Sequence, residues 1–345
     1  MGRPLKILAI QFKYFGDTVL MVPALRVIRE HWPDCALHAL VPDEVAPILN
    51  HLPWLNRVWA LPRRRGRARF LKTWPVIRAL RDERFDRSVD FGGNDRGALL
   101  SLLCGARQRL GPVHAGGFVG RRFCYTQRVP PAPLEQHETL RLLHILSAWR
   151  IAPPHSTQIE IHTDPALDAS AEKILPEPTI ICHLAAGQPK KEWPLERWAA
   201  LCQMAAAAGL RLAFTTGKSA REQSLMDGLK KLAPNAPMLP PVPDLATFLA
   251  VLKRGEVFVS GDTGPLHFAA GLGVPTISLF GPTSAAQWAP VGAQHQVLLG
   301  SPCCCDGSLD VCQSAGHCLA AISPEHVFER LRNLTPGAPI VIRNS

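Results

Sequence analysis

Polar side chains that could do chemistry occur in three short segments of this chain, and each segment follows an apolar run. GDT, residues 16–18, comes after LKILAIQF; KK, residues 190–191, comes after TIICHLAA; GDTGPLHF, residues 261–268, comes after EVFVS. Apolar runs of this length indicate buried strands. Acids, hydroxyls, ammonium groups and glycines just beyond strand ends favour a site for a polar ligand that carries phosphate.

The first segment, KYFGDTV, places an acid and a glycine between a predicted strand and a predicted helix. Gly16 permits a tight turn and the close approach of another group. Asp17 stands about where the helix begins, so it is either an N-cap residue or a general base aimed at a ligand. The spacing fits both roles, and both interpretations stay open on this segment alone.

The second segment, HLAAGQPKKEWPLERW, residues 183–198, combines small residues with two cations. The small residues 185–187 allow backbone amides to approach an anion, and Lys190 and Lys191 add positive charge. The alternative is a surface loop with two solvated lysines. If the loop binds a ligand, phosphate is the expected one.

The third segment, GDTGPLHF, could be an ordinary helix start, since Asp262 and Thr263 are good capping residues and Pro265 suits a first turn. His267 could be a partly buried histidine whose hydrogen bonds are satisfied. The density of polar groups argues against both interpretations. An acid, a hydroxyl, a glycine and an imidazole around one helix N-terminus are typical of a phosphate or pyrophosphate site.

Predicted strands and helices alternate along both halves of the chain, which indicates parallel sheets joined by right-handed crossovers. A chain of 345 residues suits two such domains. The proline-containing stretch IAPPHST predicts a linker. We therefore expect an N-terminal domain over residues 1–155 and a C-terminal domain over residues 156–345, with the last helix as a candidate to pack back on the first domain. Two facing sheets would leave a cleft lined by strand carboxyl ends.

Composition places the chain among globular proteins, with 47% hydrophobic and 19% charged residues. No apolar run reaches the roughly 18 residues that span a bilayer. The N-terminal apolar segment is short and ends in a charged turn, so it predicts a strand rather than a signal peptide. A cytoplasmic protein with reduced thiols is the expectation.

The formal net charge of +10 is unevenly placed. Residues 1–150 carry 24 Lys and Arg against 12 Asp and Glu, whereas residues 151–345 carry 14 against 16. An anionic partner is therefore expected at the first half.

The densest charge run is PRRRGRARFLKTW, residues 62–74. Such a run is often only a solvated face, but its place after a predicted strand of the basic half suggests binding of phosphates, acidic sugars or anionic lipid headgroups. Its interleaved apolar side chains, Phe70, Leu71 and Trp74, suggest contact with a membrane interface. This surface would make the protein peripheral to a membrane.

The end of the chain gathers five cysteines, Cys303, Cys304, Cys305, Cys312 and Cys318, beside His317. Their spacing has no paired CxxC motif, and adjacent cysteines cannot easily all point at one ion. Structural or redox-sensitive thiols are therefore favoured over a zinc or iron site, and both hypotheses stay open.

Three ordered motifs resemble the heptosyltransferase family of glycosyltransferases. They are GDTVLMVPALRVIREHWPDCALHALVP, KEWPLERWAAL and VSGDTGPLHFAAGLGVPTISLFGPTSAAQWAP, and the tail PCCCDGSLDVCQSAGHCLAAISPEHV is similar to the Cys-containing tail of many members. The resemblance implies the α/β architecture called GT-B, with two Rossmann-like domains facing a central cleft. It also implies an ADP-heptose donor in the C-terminal domain and an anionic lipopolysaccharide core acceptor at the N-terminal domain, on the cytoplasmic surface of the inner membrane.

The same resemblance implies roles for individual residues in an inverting transfer. Asp17 would be the general base, and Lys191 would stabilise the donor phosphates. In GDTGPLH, Asp262, Thr263, Gly264 and His267 match donor-binding residues of the family. The full set of candidate donor-binding residues is Ala186, Gly187, Lys190, Lys191, Gly217, Asp262, Thr263, Gly264, Pro265, Leu266 and His267. The candidate acceptor-binding residues are Gly16, Thr18, Arg63, Arg64 and Arg65. No metal motif is present, so no cofactor is expected.

Other functions remain compatible with the sequence. A GT-B enzyme could use another nucleotide sugar, and a sugar-nucleotide epimerase could share the two-domain layout. A basic glycan-binding or nucleic-acid-binding module is the non-enzymatic alternative. The basic half contains few interleaved aromatic residues and no recognised nucleic-acid motif, so no nucleic acid partner is expected.

Overall fold

The computed structural model describes residues 3–63, 70–113, 116–154, 156–302 and 318–335. The chain forms two compact units, Met1–His162 and Thr163–Ser345. Each unit contains one parallel sheet with helices between successive strands. The predicted fold class, two doubly wound parallel-sheet α/β domains, is confirmed.

The first unit contains six strands, β1 (Lys6–Ile10), β2 (Ala36–Pro42), β3 (Arg57–Leu61), β4 (Arg87–Asp90), β5 (Gln108–Pro112) and β6 (Gln127–Val129). Its helices are α1 (Phe15–Leu20), α2 (Val22–His31), α3 (Phe70–Asp82), α4 (Asp95–Leu103) and α5 (Glu138–Ile145). The sheet order is β3-β2-β1-β4-β5-β6, and every pairing is parallel. All six strands therefore end at the same edge of the sheet, which we call the carboxyl edge of the unit.

The second unit contains β7 (Thr179–His183), β8 (Leu212–Thr215), β9 (Gly255–Gly261), β10 (Thr276–Phe280) and β11 (His295–Leu299). Its helices are α6 (Asp168–Ile174), α7 (Leu195–Ala207), α8 (Ala220–Leu232), α9 (Leu245–Lys253), α10 (Gly264–Gly271), α11 (Ala285–Trp288) and α12 (Pro324–Leu334). The sheet order is β11-β10-β9-β7-β8, again with parallel pairing throughout. The last helix, α12, packs against α7 and β10 of its own unit.

Three strands and two short helices were not predicted from the sequence. Strands β5 and β6 carry polar side chains, β11 is a partly exposed edge strand, α6 has seven residues and α11 has four. These strands lack the continuous apolar run that marks a buried strand, and helices this short show little amphipathic periodicity.

The segment after the predicted linker is held to the first unit by Glu160. Its Oε1 lies 2.6 Å from Arg26 Nη2 and also accepts the Trp54 indole N–H at 2.7 Å. The division between the units follows two residues later, after His162.

No helix among the described residues is long and apolar enough to cross a membrane.

Two buried tryptophans anchor the Lys-rich loop of the second unit. Trp193 and Trp198 pack edge to face, with ring centroids 4.8 Å apart, and both belong to the hydrophobic core. Trp193 Nε1 also donates to the Ile322 carbonyl oxygen at 3.1 Å. The loop that carries the two candidate lysines is therefore tied to the segment that leads into α12.

Replacing Trp193 with phenylalanine tests this tie. We expect Trp193→Phe to lower the free energy of unfolding by about 1–3 kcal/mol, because the buried Ile322 carbonyl loses its partner. Urea unfolding followed by circular dichroism measures the loss. Trp74→Phe, at a half-exposed tryptophan of the first unit, is the control and should change stability by less than about 0.5 kcal/mol. An unchanged midpoint for Trp193→Phe would show that the bond adds no net stability.

Candidate active site

Asp17 lies at the carboxyl edge of the first unit, just after β1. It is the third residue of α1, whose N-cap is Tyr14. The interpretation of Asp17 as the N-cap is therefore wrong, although its Oδ2 accepts the Tyr14 backbone N–H at 3.1 Å. The carboxylate thus satisfies one open amide of the helix while keeping its second oxygen for other contacts.

The surroundings of Asp17 change its proton affinity. Burial raises its pKa, and the positive charges of Lys13 and Arg63, together with the Tyr14 N–H, oppose that rise without cancelling it. Lys13 Nζ lies 4.0 Å from Asp17 Oδ1. A carboxylate with a raised pKa accepts a proton more readily than an exposed aspartate does, which suits a general base.

Arg63 is the member of the arginine run that the structure brings towards Asp17. Its guanidinium lies 4.7 Å from the centre of the Tyr14 ring and 3.6 Å from a Glu44 carboxylate oxygen. Two further predicted contacts, Arg64 and Arg65, and the side chains of Phe70 and Leu71 lie outside the described residues.

The two residues flanking Asp17 differ in accessibility. Gly16 is partly exposed, so a ligand could approach the backbone there. Thr18 is fully buried, and its hydroxyl has no hydrogen-bond partner among the described residues. The acceptor roles assigned to both residues stay predictions.

A buried acid that sequence reasoning missed lies at the carboxyl end of β4, the strand next to β1. Asp90 ends β4; its Oδ2 accepts the Tyr125 hydroxyl at 2.6 Å, and its Oδ1 accepts the amides of Gly92 and Gly93 at 2.9 and 3.2 Å. Burial raises the pKa of Asp90 to about 6, despite these donors. An acid followed by two glycines after a predicted strand, SVDFGG, was the available sequence signal.

Tyr125 also lines a surface cavity of about 220 Å³. The cavity lies below the loop that follows β5, and Arg121 and Arg122 contribute to its wall. Neither arginine was selected from the sequence, because the fold and not the local pattern brings them to the cavity.

In the second unit, an ion pair joins two of the predicted segments. Lys191 Nζ lies 2.8 Å from Asp262 Oδ2, across 71 positions of sequence. Gly261 makes this approach possible, since a Cβ at that position would stand 2.4 Å from the Lys191 carbonyl oxygen. The structure thus brings the KKEWP and GDTGPLHF segments together at the carboxyl edge of this unit.

Lys190, which precedes Lys191 in the sequence, is almost completely buried. Only 2% of its surface is exposed, and its Nζ has no hydrogen-bond partner in the part of the chain that the structure describes. A buried ammonium group without a partner is costly, so such groups are normally matched by an anion, a hydrogen-bonding group or water. The arrangement therefore fits an anionic ligand.

Helix α10 begins directly beyond the ion pair. Thr263 is its N-cap by position, but the Thr263 side chain makes no capping hydrogen bond within the described chain. Gly264 and Pro265 form the first turn and are partly exposed, whereas Leu266 and His267 are buried. The capping interpretation thus holds for the position of Thr263 and not for its hydroxyl.

The loop after β7 is held by a residue that sequence reasoning missed. Glu192 Oε1 accepts the Ala186 amide at 3.1 Å and pairs with Arg221 Nη1, while Arg221 Nη2 donates to the Ala186 carbonyl at 2.7 Å. The Ala186 amide, which was expected to face an anion, is therefore used by Glu192. Gly187 is exposed in this loop, as is Pro189.

A local contact explains why residue 217 is a glycine. A Cβ there would stand 2.3 Å from the Glu222 carboxylate, which with Ser219 forms the capping box of α8. Its predicted contact with the donor stays a prediction.

Side chains that could bind a metal ion are the subject of two of the sequence predictions. No group of three His, Cys, Asp or Glu side chains that could hold a metal ion occurs among the described residues. Of the terminal cysteines, Cys318 lies in the core of the second unit near Gly281, and the other four lie outside the described residues. The expectation that no metal is needed stays a prediction.

The raised pKa of Asp90 predicts a pH dependence of stability. Its pKa is 3.8 in an ordinary environment and about 6 in the fold, so the native state binds more protons between these values. The free energy of unfolding should then fall as pH rises from about 4 to about 6, by roughly 3 kcal/mol from this group. Urea titrations across this range should show a smaller slope for Asp90→Asn.

Some slope should persist in that variant, because burial also raises the pKa values of Asp17 and Glu138. Asp34→Asn, at an exposed aspartate of the same unit, should leave the slope unchanged. If Asp90→Asn keeps the full slope, Asp90 is ionised in the fold at pH 4.

Comparison with known proteins places these features in a family. The model described as Glycosyltransferase family 9 (heptosyltransferase) matches residues 73–312. Lipopolysaccharide heptosyltransferase 1 of Pseudomonas aeruginosa is 26% identical over 307 residues, which is 87% of this chain and 85% of the relative.

Solved structures share the fold. A glycosyl transferase family 9 protein from Veillonella parvula has a TM-score of 0.84 at 18% identity, and the match covers 98% of this chain and 99% of that one. E. coli heptosyltransferase WaaC with ADP-2-deoxy-2-fluoro heptose has a TM-score of 0.69 at 21% identity, with 95% and 99% covered. These neighbours share the fold of two parallel-sheet α/β domains. Since the family model matches well over half of its length, this chain belongs to glycosyltransferase family 9, the heptosyltransferases, and is a glycosyltransferase.

Proposed function

We propose that this enzyme transfers a heptose from ADP-heptose to the inner core of lipopolysaccharide, with inversion at the anomeric carbon. The observation that carries the proposal is the Lys191–Asp262 ion pair at the carboxyl edge of the second unit, together with the neighbouring Lys190, whose buried Nζ has no hydrogen-bond partner among the described residues. The solved relative named with an ADP-heptose analogue supports the choice of donor. The relatives named as lipopolysaccharide heptosyltransferases support the choice of acceptor.

The second unit would hold the donor. Two lysines against one aspartate leave a net positive charge, which suits a diphosphate. Lys191 would contact the diphosphate while Asp262 fixes the direction of its side chain, and Lys190 would gain the anionic partner that burial demands. The N-terminus of α10, with the Thr263 hydroxyl, would add its dipole and a hydrogen-bond donor.

The first unit would supply the base. Asp17 would take the proton from an acceptor hydroxyl as that oxygen bonds to the anomeric carbon of the heptose. The bond from this carbon to the phosphate oxygen breaks, and the electron pair leaves with ADP. Lys190 and Lys191 would stabilise the departing negative charge, which is the role a divalent cation would otherwise fill, so we propose transfer without a metal cofactor.

The acceptor side is basic. Arg63 near Tyr14, and Arg121 in the wall of the 220 Å³ cavity, would bind phosphates or acidic sugars of the core. Because such an acceptor is anchored by lipid, we also propose that the enzyme works as a cytoplasmic protein at the inner membrane surface.

The first test is ADP release from ADP-heptose, with and without a deep-rough core acceptor. Release should require the acceptor, persist in the presence of a chelator, and fall by about 10²–10⁴-fold in Asp17→Asn, because the amide cannot accept the proton. Asp34→Asn is the matched control and should keep wild-type activity. Release without acceptor would favour hydrolysis or an epimerase, and loss of activity on chelation would overturn the metal-free mechanism.

Lys190 provides a second test with two opposite effects. Lys190→Met removes a buried charge while keeping the length of the side chain, so the ligand-free protein should become more stable to urea. Affinity for ADP, measured by isothermal titration calorimetry, should fall about tenfold or more. Lys173→Met, at an exposed lysine of the same unit, should change neither quantity. Unchanged ADP affinity in Lys190→Met would remove Lys190 from the donor site.

A further inference from the structure

We propose that an exposed apolar surface of the first unit docks on an anionic lipid bilayer. This apolar surface consists of Leu99, Val113, Phe118, Val119 and Phe123. The proposal rests on the proposed function, in which the acceptor is carried by a lipid, and it names the surface that would meet the membrane.

The five side chains are exposed and belong to α4 and to the loop and helical turn that follow β5, and Val113 and Phe118 line the same cavity. Val119 is fully exposed, Phe123 is 70% exposed, and the other three are 37–43% exposed. Helix α4, which carries Leu99, packs against the helical turn Arg121–Cys124 that precedes Tyr125. Single exposed apolar residues are ordinary, but a group of large ones on two packed elements marks an interaction site.

The loop that displays Val119 is held in place by specific contacts. Asp95 Oδ1 accepts the Phe118 amide at 3.2 Å and lies 3.3 Å from Arg121 Nη1. Gly117 has a φ of 91°, and a Cβ there would stand 2.4 Å from the same Asp95 oxygen, so only glycine fits. The exposure of Val119 at the tip therefore follows from how the loop is built.

Charge around the apolar surface favours an anionic bilayer over other partners. Arg122 is exposed and lies 4.8 Å from the centre of the Phe123 ring, and it lines the 220 Å³ cavity together with Arg121, Val113 and Phe118. Residues 1–150 carry 24 basic against 12 acidic side chains. Apolar side chains rimmed by arginines suit the boundary between anionic headgroups and acyl chains. A second copy of this unit would present the same positive charge and be repelled.

The position of the apolar surface fits its proposed use. The loop follows β5, and Asp17 follows β1 of the same parallel sheet, so both lie at one carboxyl edge. A bilayer that meets the loop would bring a lipid-anchored acceptor to the edge that carries the candidate base.

Vesicle flotation with Val119→Asp tests the docking surface directly. Wild-type protein should float with phosphatidylcholine vesicles that contain phosphatidylglycerol and much less with phosphatidylcholine alone. Val119→Asp should lower this partitioning about tenfold or more, because an inserted apolar side chain becomes a charge. Arg122→Gln should lower it about fivefold. Val291→Asp, at an exposed valine of the second unit, is the matched control and should float like wild type.

Transfer to a delipidated core oligosaccharide separates this proposal from the proposed function. Val119→Asp should keep wild-type transfer to that soluble acceptor, and a loss there would assign the loop to acceptor binding and overturn docking. Wild-type protein that transfers heptose but does not float with anionic vesicles would overturn docking alone. A wild-type dimer that Val119→Asp converts to a monomer in size-exclusion chromatography would assign the apolar surface to self-association and overturn the bilayer as its partner.

Discussion

Parallel pairing of every strand is the constraint on which the rest of this molecule depends. When all strands of a sheet run the same way, the loops that follow them collect at one edge, whatever their separation in sequence. In the second unit this brings Lys191 to Asp262 across 71 positions. In the first unit it places Asp17, Asp90 and the loop after β5 at one edge. The candidate sites are therefore consequences of topology.

The carboxyl edges of the two units contain ionisable side chains that are buried. Asp17 and Asp90 are buried carboxyl groups whose pKa values are raised by desolvation, and Lys190 is a buried ammonium group. Each such group lowers the stability of the ligand-free fold. A protein keeps groups of this kind where they act on a ligand or a proton, and two of the three lie in segments that carry the proposed transfer. Asp90 instead accepts hydrogen bonds from the Tyr125 hydroxyl and from the amides of Gly92 and Gly93.

The two halves of the chain differ in net charge. The first half of the chain is strongly basic, whereas the second half is close to neutral and carries two adjacent lysines in the loop after β7. A large anionic acceptor attached to a membrane needs a broad basic surface, while a diphosphate needs a few well-placed cations. Glu192 and Arg221 both hydrogen-bond to the backbone of Ala186, and these contacts hold the loop that carries the two lysines in place.

The sequence by itself determined the fold class and the main polar segments, because apolar runs and the residues that follow them are local patterns. It indicated Asp17, Lys191 and Asp262 from their place after strands, and the family from three ordered motifs. It did not reveal β5, β6 or β11, whose residues are partly polar or exposed and form no continuous apolar run. Only the tertiary structure decided that Asp17 is inside α1 and not its cap, that Lys190 is buried, and that Asp90 meets Tyr125. Burial and contacts between distant segments arise from packing, and no local pattern encodes them.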